Sequence, residues 1–445
     1  MSMFSEYLRQ LIQGRDISIS KLSRDSGVER TAIHKALAGG RILPYHAVEL
    51  LIYYLKLSPG ESRKLYQYYN QLFESEAVSR AWDIIDKIFL SLLDLSSAMS
   101  NRLQRFRELS FTYPHSQKNT YKGMNDIFKG LQWMLEKELD FKEPRLELAA
   151  PPHVKALEKC IKNIYQDGSS IKITHIICFD ASEAENEYNL QNLECLYHVL
   201  PGCILSNQQY DVYYYYSNIV QTQYTDPLPY FLVTHSGVLC FSENFQIAIF
   251  LEEREQIEYF HACFYRLKQS CHRLIEYIEK PVILGKDTVF SQLGKGCAFM
   301  MSQPYMMEVQ IKKMMILFTR KGIVDFLSLE RQYDFFTGSV LMADEQKRVQ
   351  LLHLFLEKIK TDQIKGRLMD DMGFGFPENF AVFIFAGLGL LVCDKDGSWG
   401  IHVRESNLCK AFYDWSVRFS EGDYVLDKER TVEVLAEALR LWQKA

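Results

Sequence analysis

The sequence predicts a multidomain protein that joins an all-helical N-terminal part to a C-terminal α/β region. The chain has 445 residues, which is longer than a typical single domain. Apolar residues recur at helical spacing over about the first 110 positions, and strand-like apolar runs alternate with amphipathic helices from about residue 152. The predicted division is a helical domain over 1–75, a helical linker over 76–150, and two α/β lobes over 151–280 and 281–445.

The first domain is predicted to contain five helices. Their expected bounds are 4–13, 20–26, 29–38, 46–56 and 59–72. Gly27 stands between the second and third helices, where a glycine takes left-handed backbone angles without steric cost. Ser58 and Glu61 have the spacing of a capping box, which predicts the start of the fifth helix.

Residues 17–41 carry the most specific pattern in the chain. The pattern consists of Leu22-Ser23 in a first helix, Gly27-Val28 at a turn, Ile33 in a second helix, Gly40-Arg41 at its end, and then Pro44. It resembles the helix-turn-helix of the lambda-repressor-like (Xre/Cro) family of bacterial-type transcription regulators, and the resemblance covers about residues 1–72. Ser23 stands where the family usually has alanine, and Ser18 or Ser20 where it often has a glutamine-type residue.

The resemblance implies that the second helix of this motif reads DNA. No acidic residue occurs between Arg30 and Arg41, and the first 75 residues carry ten Lys and Arg against seven Asp and Glu. The whole chain has a net charge of −5, so this mild local excess of positive charge fits a small DNA-reading module on a larger acidic body. We expect base contacts from Arg30, Thr31 and His34, and phosphate contacts from Ser18, Ser20, Lys35 and Arg41. The expected partner is a double-stranded operator with an inverted repeat, bound by a homodimer.

An apolar stripe marks the predicted helix that follows. Its members are Val78, Ala81, Ile85, Ile88, Leu92, Leu95 and Met99. Their seven-residue spacing is typical of a coiled-coil dimer seam, but it also suits a helix that packs within its own chain. Trp82 and Phe89 widen the stripe, which favours the second interpretation.

The two α/β lobes share a weak internal repeat. Strands are predicted at 171–179, 211–220 and 246–251, a hairpin at 230–241 that turns at Ser236-Gly237, and a long helix over 253–279. Residues 230–265 and 379–413 follow the same order of strand, strand, turn, strand and helix, about 150 residues apart. In this alignment Leu239 matches Leu391, and Phe264-Tyr265 matches Phe412-Tyr413. Either the lobes are related, or two common units align by chance.

A ligand site is expected where the first lobe's strands end. Asp180 follows the strand 171–179, and ligands bind open sheets at the carboxyl ends of their strands. Phe179, Tyr213 and Tyr215 are candidates for the wall of this site, because tyrosine offers an apolar face and one polar tip. Packing in the core and at the sheet edge is the alternative role. His175, inside an apolar strand, is interpreted as a core histidine and not as a catalyst.

The remaining motifs predict neither a metal site nor a cofactor. Ten cysteines occur without a CxxC pair, and the glycine-rich stretches lack the Lys-Ser/Thr ending of a phosphate-binding loop. The N-terminus does not resemble a signal peptide, and no apolar run is long enough to span a membrane, so we expect a cytoplasmic protein.

These observations predict a sequence-specific transcriptional regulator and not an enzyme. The α/β region would sense an unidentified small-molecule or peptide effector and support dimerisation. Two alternatives remain open at this point. One is an enzyme that carries a DNA-binding tether, and the other is a protein-interaction regulator without a small-molecule ligand.

Overall fold

The computed structural model describes residues 2–15, 17–70, 76–101, 118–166, 170–181, 188–217, 227–281, 297–301, 314–328, 331–334, 339–342, 344–370, 379–386, 389–422 and 424–443. The helices are α1 (Met3–Gly14), α2 (Ile19–Ser26), α3 (Arg30–Leu37), α4 (Tyr45–Tyr54), α5 (Pro59–Asn70), α6 (Glu76–Asn101), α7 (Met124–Leu139), α8 (Lys155–Gln166), α9 (Leu190–Leu205), α10 (Arg254–Gln269), α11 (Arg320–Ser328), α12 (Glu345–Lys360), α13 (Ser406–Ser420) and α14 (Lys428–Trp442).

The strands are β1 (Thr120–Lys122), β2 (Arg145–Ala149), β3 (Lys172–Asp180), β4 (Tyr210–Ser217), β5 (Tyr230–Val233), β6 (Val238–Phe241), β7 (Ile247–Leu251), β8 (His272–Arg273), β9 (Ile275–Glu279), β10 (Cys297–Met301), β11 (Met314–Phe318), β12 (Arg331–Asp334), β13 (Ser339–Met342), β14 (Lys365–Leu368), β15 (Phe380–Phe385), β16 (Gly389–Asp394) and β17 (Trp399–Val403). Helices and sheets combine as expected of a multidomain α plus α/β protein. Among the described residues, no helix is both long enough and apolar enough to cross a lipid bilayer.

The five N-terminal helices surround a core of their own. Phe4, Leu8, Ile33, Leu51 and Leu65 are fully or almost fully buried in it. Helix α2 ends at Gly27, whose φ of 72° lies in the left-handed region, and α3 begins three residues later. The predicted capping box is present at the start of α5, because Ser58 N–H donates to Glu61 Oε2 at 2.8 Å and Glu61 N–H donates to Ser58 Oγ at 3.3 Å.

The apolar stripe of α6 packs within its own chain. Val78, Ala81, Ile85, Ile88, Leu92 and Leu95 are buried, and the helix lies against α9 and α13. The side chain of Met99 lies outside the described part of the chain. Phe89 stacks on Trp415 with ring centroids 4.6 Å apart, so the aromatic residues that widened the stripe contact a second helix. The stripe is therefore already covered and cannot serve as a dimer seam.

The first sheet begins ahead of the predicted lobe boundary at residue 151. Its eight strands have the order β1-β7-β6-β5-β2-β3-β4-β8, in which β2, β3 and β4 are parallel and the other neighbours are antiparallel. Both β1 and β2 come from the segment 76–150, which was expected to be a helical linker, so that expectation is wrong for these strands. Burial explains β2, because Leu146 and Leu148 alternate with more exposed residues and fill the core under α7 and α8.

The second sheet has seven strands and the order β14-β11-β10-β15-β16-β17-β9. Its strands β10, β11 and β14 are parallel, while β15, β16 and β17 form an antiparallel meander. Read in reverse, this order is β9-β17-β16-β15-β10-β11-β14. It matches, position by position, the first seven strands of the first sheet, β1-β7-β6-β5-β2-β3-β4. The weak sequence repeat therefore has a counterpart in the topology of the two sheets.

Two glycines occupy the same place in this shared topology. Gly237 precedes β6 and Gly389 begins β16, and they are 152 residues apart. A Cβ on Gly237 would lie 2.9 Å from the carbonyl oxygen of Leu251, and a Cβ on Gly389 would lie 1.9 Å from that of Val403. Leu251 and Val403 are the last residues of β7 and β17. Both meanders thus use a glycine to bring two strand ends close together.

The spacing of 152 residues corrects one detail of the predicted repeat. Helices α10 and α13 begin at Arg254 and Ser406, which are 152 residues apart. The pairs Phe264-Tyr265 and Phe412-Tyr413 are separated by only 148 residues, so they lie one helical turn out of register. These two aromatic pairs are not equivalent in position.

The segment predicted as the end of one long helix instead joins the two sheets. Helix α10 ends at Gln269, and the chain continues as β8 at the edge of the first sheet and β9 at the edge of the second. Leu274 alone separates these strands, and its N–H donates to the carbonyl of Val212 in β4 at 2.9 Å. The alternating apolar residues of this segment pair with β17, which explains why it is extended.

Candidate functional site

A cavity of about 160 Å³ lies between α6, α8 and α9, against one face of the first sheet. Its lining consists of Ser91, Asp94, Leu95, Pro152, Leu157, Glu158, Ile161, His175, Tyr197, His198, Pro201, Gly202 and Tyr210. Asp94 is exposed and Glu158 and His198 are partly exposed, whereas His175 and Tyr210 are buried. The cavity therefore runs from a polar rim down to a histidine and a tyrosine on the sheet.

The floor of the cavity is a fixed hydrogen-bonded pair. His175 Nε2 lies 2.8 Å from the carbonyl oxygen of Ala150, and its Nδ1 lies 2.6 Å from the hydroxyl of Tyr210. Because a carbonyl oxygen only accepts, Nε2 carries the proton and Tyr210 donates to Nδ1. Burial lowers the pKa of His175 to about 4, so the imidazole is neutral at pH 7. Both ring nitrogens are occupied, which makes His175 a structural part of the floor.

A close approach of α9 to the sheet holds Tyr210 in place. The ring of Tyr210 would lie 2.7 Å from a Cβ at position 202, so only glycine leaves room for it there. Pro201 precedes this glycine inside α9, where a proline removes one hydrogen bond of the helix. Pro201 and Gly202 both line the cavity, so the local sequence of α9 shapes its floor.

The rim of the cavity contains an imidazole paired with a carboxylate. His198 Nδ1 lies 3.1 Å from Glu158 Oε2, and the side chains are 21% and 38% exposed. An ionised carboxylate only accepts, so a neutral His198 carries its proton on Nδ1. Its Nε2 is then a base nitrogen, and no described residue forms a hydrogen bond with it. This is the arrangement by which a carboxylate orients a general base.

A second histidine stands beside this pair. The ring centroids of His153 and His198 are 6.5 Å apart. Desolvation lowers the pKa of His153, and any positive charge on the neighbouring His198 lowers it further. Both effects favour a neutral imidazole at His153 near neutral pH.

The predicted tyrosine pocket is not assembled. In the register of β3 and β4, Cys178 pairs with Tyr215 and Phe179 pairs with Tyr216. Paired residues share a face, so Phe179 lies on the opposite face of the sheet from Tyr213 and Tyr215. Phe179 is fully buried beside Tyr214, with ring centroids 4.7 Å apart.

The other members of that predicted site have structural contacts of their own. Tyr213 and Tyr215 pack against Ile176 and Phe264 on the face covered by α10. The backbone of Asp180 is bound to the start of α9: its N–H donates to Asn192 Oδ1 at 3.0 Å, and its carbonyl accepts from Asn189 at 3.1 Å. The expected common pocket of these residues is therefore wrong.

The residues predicted to contact DNA all lie on the surface of the N-terminal helices. The exposed set consists of Ser18, Ser20, Arg30, Thr31, His34, Lys35 and Arg41. Two of their hydroxyl groups already have partners, since Ser18 accepts from Lys21 N–H at 3.2 Å and Thr31 donates to the carboxylate of Glu29. Whether these side chains touch DNA stays a prediction.

The sequence alone did not single out the residues of the cavity. His198 and Glu158 are 40 positions apart and belong to no motif, and Asp94 comes from a helix that precedes the sheet. The sequence indicates a core histidine at His175, but only the folded chain shows which polar groups lie next to it. The spacing of residues along the sequence cannot predict that side chains from three separate helices line one cavity.

No family model and no curated protein matches this chain. Among solved structures, it is similar to a phosphatidylserine synthase from Haemophilus influenzae Rd KW20, with 9% identity over 78% of this chain and 98% of that one, at a TM-score of 0.22. A polyphosphate kinase from Porphyromonas gingivalis matches with 10% identity over 72% of this chain and 53% of that one, also at a TM-score of 0.22.

Both of these proteins are named as enzymes, and neither is named as a transcription regulator. The prediction of a ligand-sensing transcriptional regulator that is not an enzyme is contradicted by these matches and is corrected. A TM-score of 0.22 supports neither a common fold nor a common reaction, so an activity has to be argued from the cavity itself.

Proposed function

We propose that this chain is an enzyme with a DNA-binding tether, whose α/β region carries out proton-transfer chemistry in the cavity beneath α6. The observation that carries the proposal is the imidazole of His198, which lines the cavity and is held by Glu158 at 3.1 Å. An imidazole held in one orientation by a carboxylate has the arrangement of a general base.

The proposed step moves one proton. His198 Nε2 accepts a proton from an O–H or N–H group of the bound molecule, and the imidazole becomes an imidazolium that donates through Nδ1 to Glu158. The negative charge of Glu158 stabilises this imidazolium. His175 and Tyr210 form the floor, and their mutual hydrogen bond keeps them from competing for the transferred proton.

A screen without an assumed substrate tests the enzymatic proposal. The purified chain is incubated with a small-molecule extract, and compounds that disappear or form in proportion to protein and time are followed by mass spectrometry. We expect at least one conversion, reduced by His198→Gln roughly 100-fold or more, as general-base catalysis requires. The exposed His353 offers a control, since His353→Gln should leave the rate unchanged. An absence of conversion, or an equal rate with His198→Gln, would refute the proposal.

The N-terminal helices are proposed to bind duplex DNA through α3. Arg30, His34, Lys35 and Arg41 are exposed, and among the described residues none of these four side chains has a hydrogen-bonded or ionic partner. Such cations can meet phosphates and base edges at no cost of breaking an internal ion pair. Binding as a homodimer to an inverted repeat belongs to the same proposal, and it requires a pairing surface other than the buried stripe of α6.

DNA fragments selected from a random pool by the purified chain test this second part. On the selected fragment, Arg30→Ala should cost about 1–3 kcal/mol and relax the preference at one base position. Lys35→Ala should weaken binding to all sequences alike, because a phosphate contact carries no sequence information. Arg254→Ala, on the exposed surface of α10, serves as the control. Selection of no fragment would refute DNA binding without affecting the proposed catalysis.

A further inference from the structure

We infer that the cavity of His198 selects a small organic cation, a protonated amine with a short apolar tail, over anions and neutral molecules of similar size. This inference rests on the proposed function, because it assigns a substrate class to the same cavity. The lining charges, the rim and the walls of the cavity each contribute to it.

The charged groups among the described lining residues are acidic. Asp94 and Glu158 line the cavity, and no lysine or arginine is among the lining residues that the structure describes. The neutral state of His175 adds no positive charge to the floor at pH 7. A phosphate or carboxylate inside would therefore face two negative groups and no permanent cation of the described lining, whereas an ammonium group would face two favourable charges.

The carboxylate of Asp94 is available at the rim. It is exposed on α6, and among the described residues it has neither a hydrogen bond nor an ion pair. Glu158 is already bound to His198, so the two acids have different roles. Asp94 can receive the ammonium group, while Glu158 holds the base that lies beside it.

The walls suit the two ends of an alkylamine. Tyr197 and Tyr210 present aromatic rings, and a cation is attracted to the face of such a ring. Leu95, Leu157 and Ile161 supply apolar surface for the carbon chain. The amine is thus recognised by charge at the rim and by apolar contact inside.

The volume limits the size of the ligand. A protein cavity of about 150 Å³ binds benzene, so about 160 Å³ accommodates roughly six non-hydrogen atoms. A butyl or pentyl chain with one nitrogen meets this limit.

Titration of the full chain with matched probes tests the inference. The probes are n-butylammonium, n-butanol, butyrate and inorganic phosphate, measured by isothermal titration calorimetry at pH 7. We expect n-butylammonium to bind at least roughly tenfold more tightly than the other three, equivalent to about 1.4 kcal/mol. Tighter binding of butyrate or phosphate, or binding of none of the probes, would overturn the inference.

Variants assign the selectivity to the rim. Asp94→Asn should weaken n-butylammonium roughly five- to tenfold and leave n-butanol unchanged, because it removes one charge while keeping the side chain's size. Asp140→Asn, at an exposed carboxylate that is not among the residues lining the cavity, should leave the affinity for both probes unchanged. An equal loss for n-butylammonium and n-butanol in Asp94→Asn would contradict the assigned role.

The two proposals fail in different ways. If anions bind the cavity and His198→Gln still abolishes turnover, the ligand class is wrong and the enzymatic proposal stands. If n-butylammonium binds through Asp94 and His198→Gln leaves every conversion unchanged, the ligand class stands and the enzymatic proposal fails.

Discussion

Tyr210 donates a hydrogen bond to Nδ1 of His175 across 2.6 Å, and this bond joins two neighbouring parallel strands through their side chains. The opposite ring nitrogen of His175 donates to Ala150 in the segment that leads into α8. One buried imidazole therefore ties β3, β4 and the end of β2 together beneath the cavity. A polar group placed so deeply is tolerated because each of its nitrogens has a partner.

Removal of the Tyr210 hydroxyl should destabilise the α/β region. Tyr210→Phe leaves Nδ1 of His175 buried without a donor, at an expected cost of about 1–3 kcal/mol in the free energy of unfolding. Urea unfolding followed by tryptophan fluorescence measures this change. Tyr259→Phe is the control, since Tyr259 is 62% exposed on α10. An unchanged free energy for Tyr210→Phe would show that the bond contributes nothing.

The partly buried carboxylate of Asp86 should cost stability at neutral pH. It accepts from Trp415 Nε1 at 2.9 Å, and burial raises its pKa to about 6. Between about pH 4 and 6 the native state holds a proton that the unfolded state has lost, so stability falls as the pH rises through this range. Asp86→Asn keeps an oxygen acceptor for Trp415 and removes the charge. We expect it to raise the free energy of unfolding by about 1–3 kcal/mol at pH 7.

The pH dependence provides the check on this prediction. Below about pH 4 the carboxyl group of Asp86 is protonated in both states, so the benefit of Asp86→Asn should vanish there. Urea unfolding at pH 7 and at the lowest pH that keeps the protein folded would reveal the trend. Asp140→Asn, at an exposed carboxylate just after α7, should not reproduce it. A gain of equal size at both pH values would exclude burial of the charge as the cause.

The two meander glycines should be equally intolerant of a side chain. In Gly389→Ala the new Cβ would meet the carbonyl oxygen of Val403, and the φ of 110° is unfavourable for alanine. In Gly237→Ala the Cβ would meet the ring of Phe250 at 2.4 Å. Each substitution should cost about 2 kcal/mol or more, as overpacking does. The melting temperature of each variant measures it, with Gly14→Ala as control because a Cβ there meets no atom within 4 Å.

Local patterns in the sequence predicted the N-terminal helices and several strands well. The capping box of Ser58 and Glu61 and the turn at Gly27 depend on neighbours a few residues away, so the sequence contains all that specifies them. Strand β3 was expected over 171–179 and spans Lys172–Asp180 for the same reason. The weak repeat can be detected in the sequence because equivalent residues of the two meanders are separated by a constant number of positions.

Long-range pairing could not be predicted in this way. Strands β1 and β2 are short, and only their partners β7, β3 and β5 identify them as parts of a sheet. The prediction of a tyrosine pocket was wrong because a shift of one residue in strand register moves a side chain to the other face of the sheet. The register of β3 against β4 is set by the whole sheet. The cavity depends on α6 crossing α9, which no local pattern specifies.

The neutral state of His175 should make the protein sensitive to acid. Its pKa is lowered to about 4 in the folded chain, against the usual value of about 6.5, so below pH 6.5 the unfolded state binds a proton that the native state does not. The stabilising contribution is complete above pH 6.5 and is lost progressively as the pH falls to about 4. Over this range, proton uptake by His175 in the unfolded state should lower the free energy of unfolding by about 3 kcal/mol.

His175→Gln separates this effect from the opposing one of Asp86. A glutamine amide can donate to Ala150 and accept from Tyr210, so it retains both hydrogen bonds without titrating. The free energy of unfolding of His175→Gln, measured by urea at intervals from pH 7 to pH 4, should therefore fall less steeply than that of the unsubstituted chain. His353→Gln, at an exposed site, should leave the slope as it is. If His175→Gln is as sensitive to acid as the unsubstituted chain, the buried imidazole is not the group that takes up the proton on unfolding.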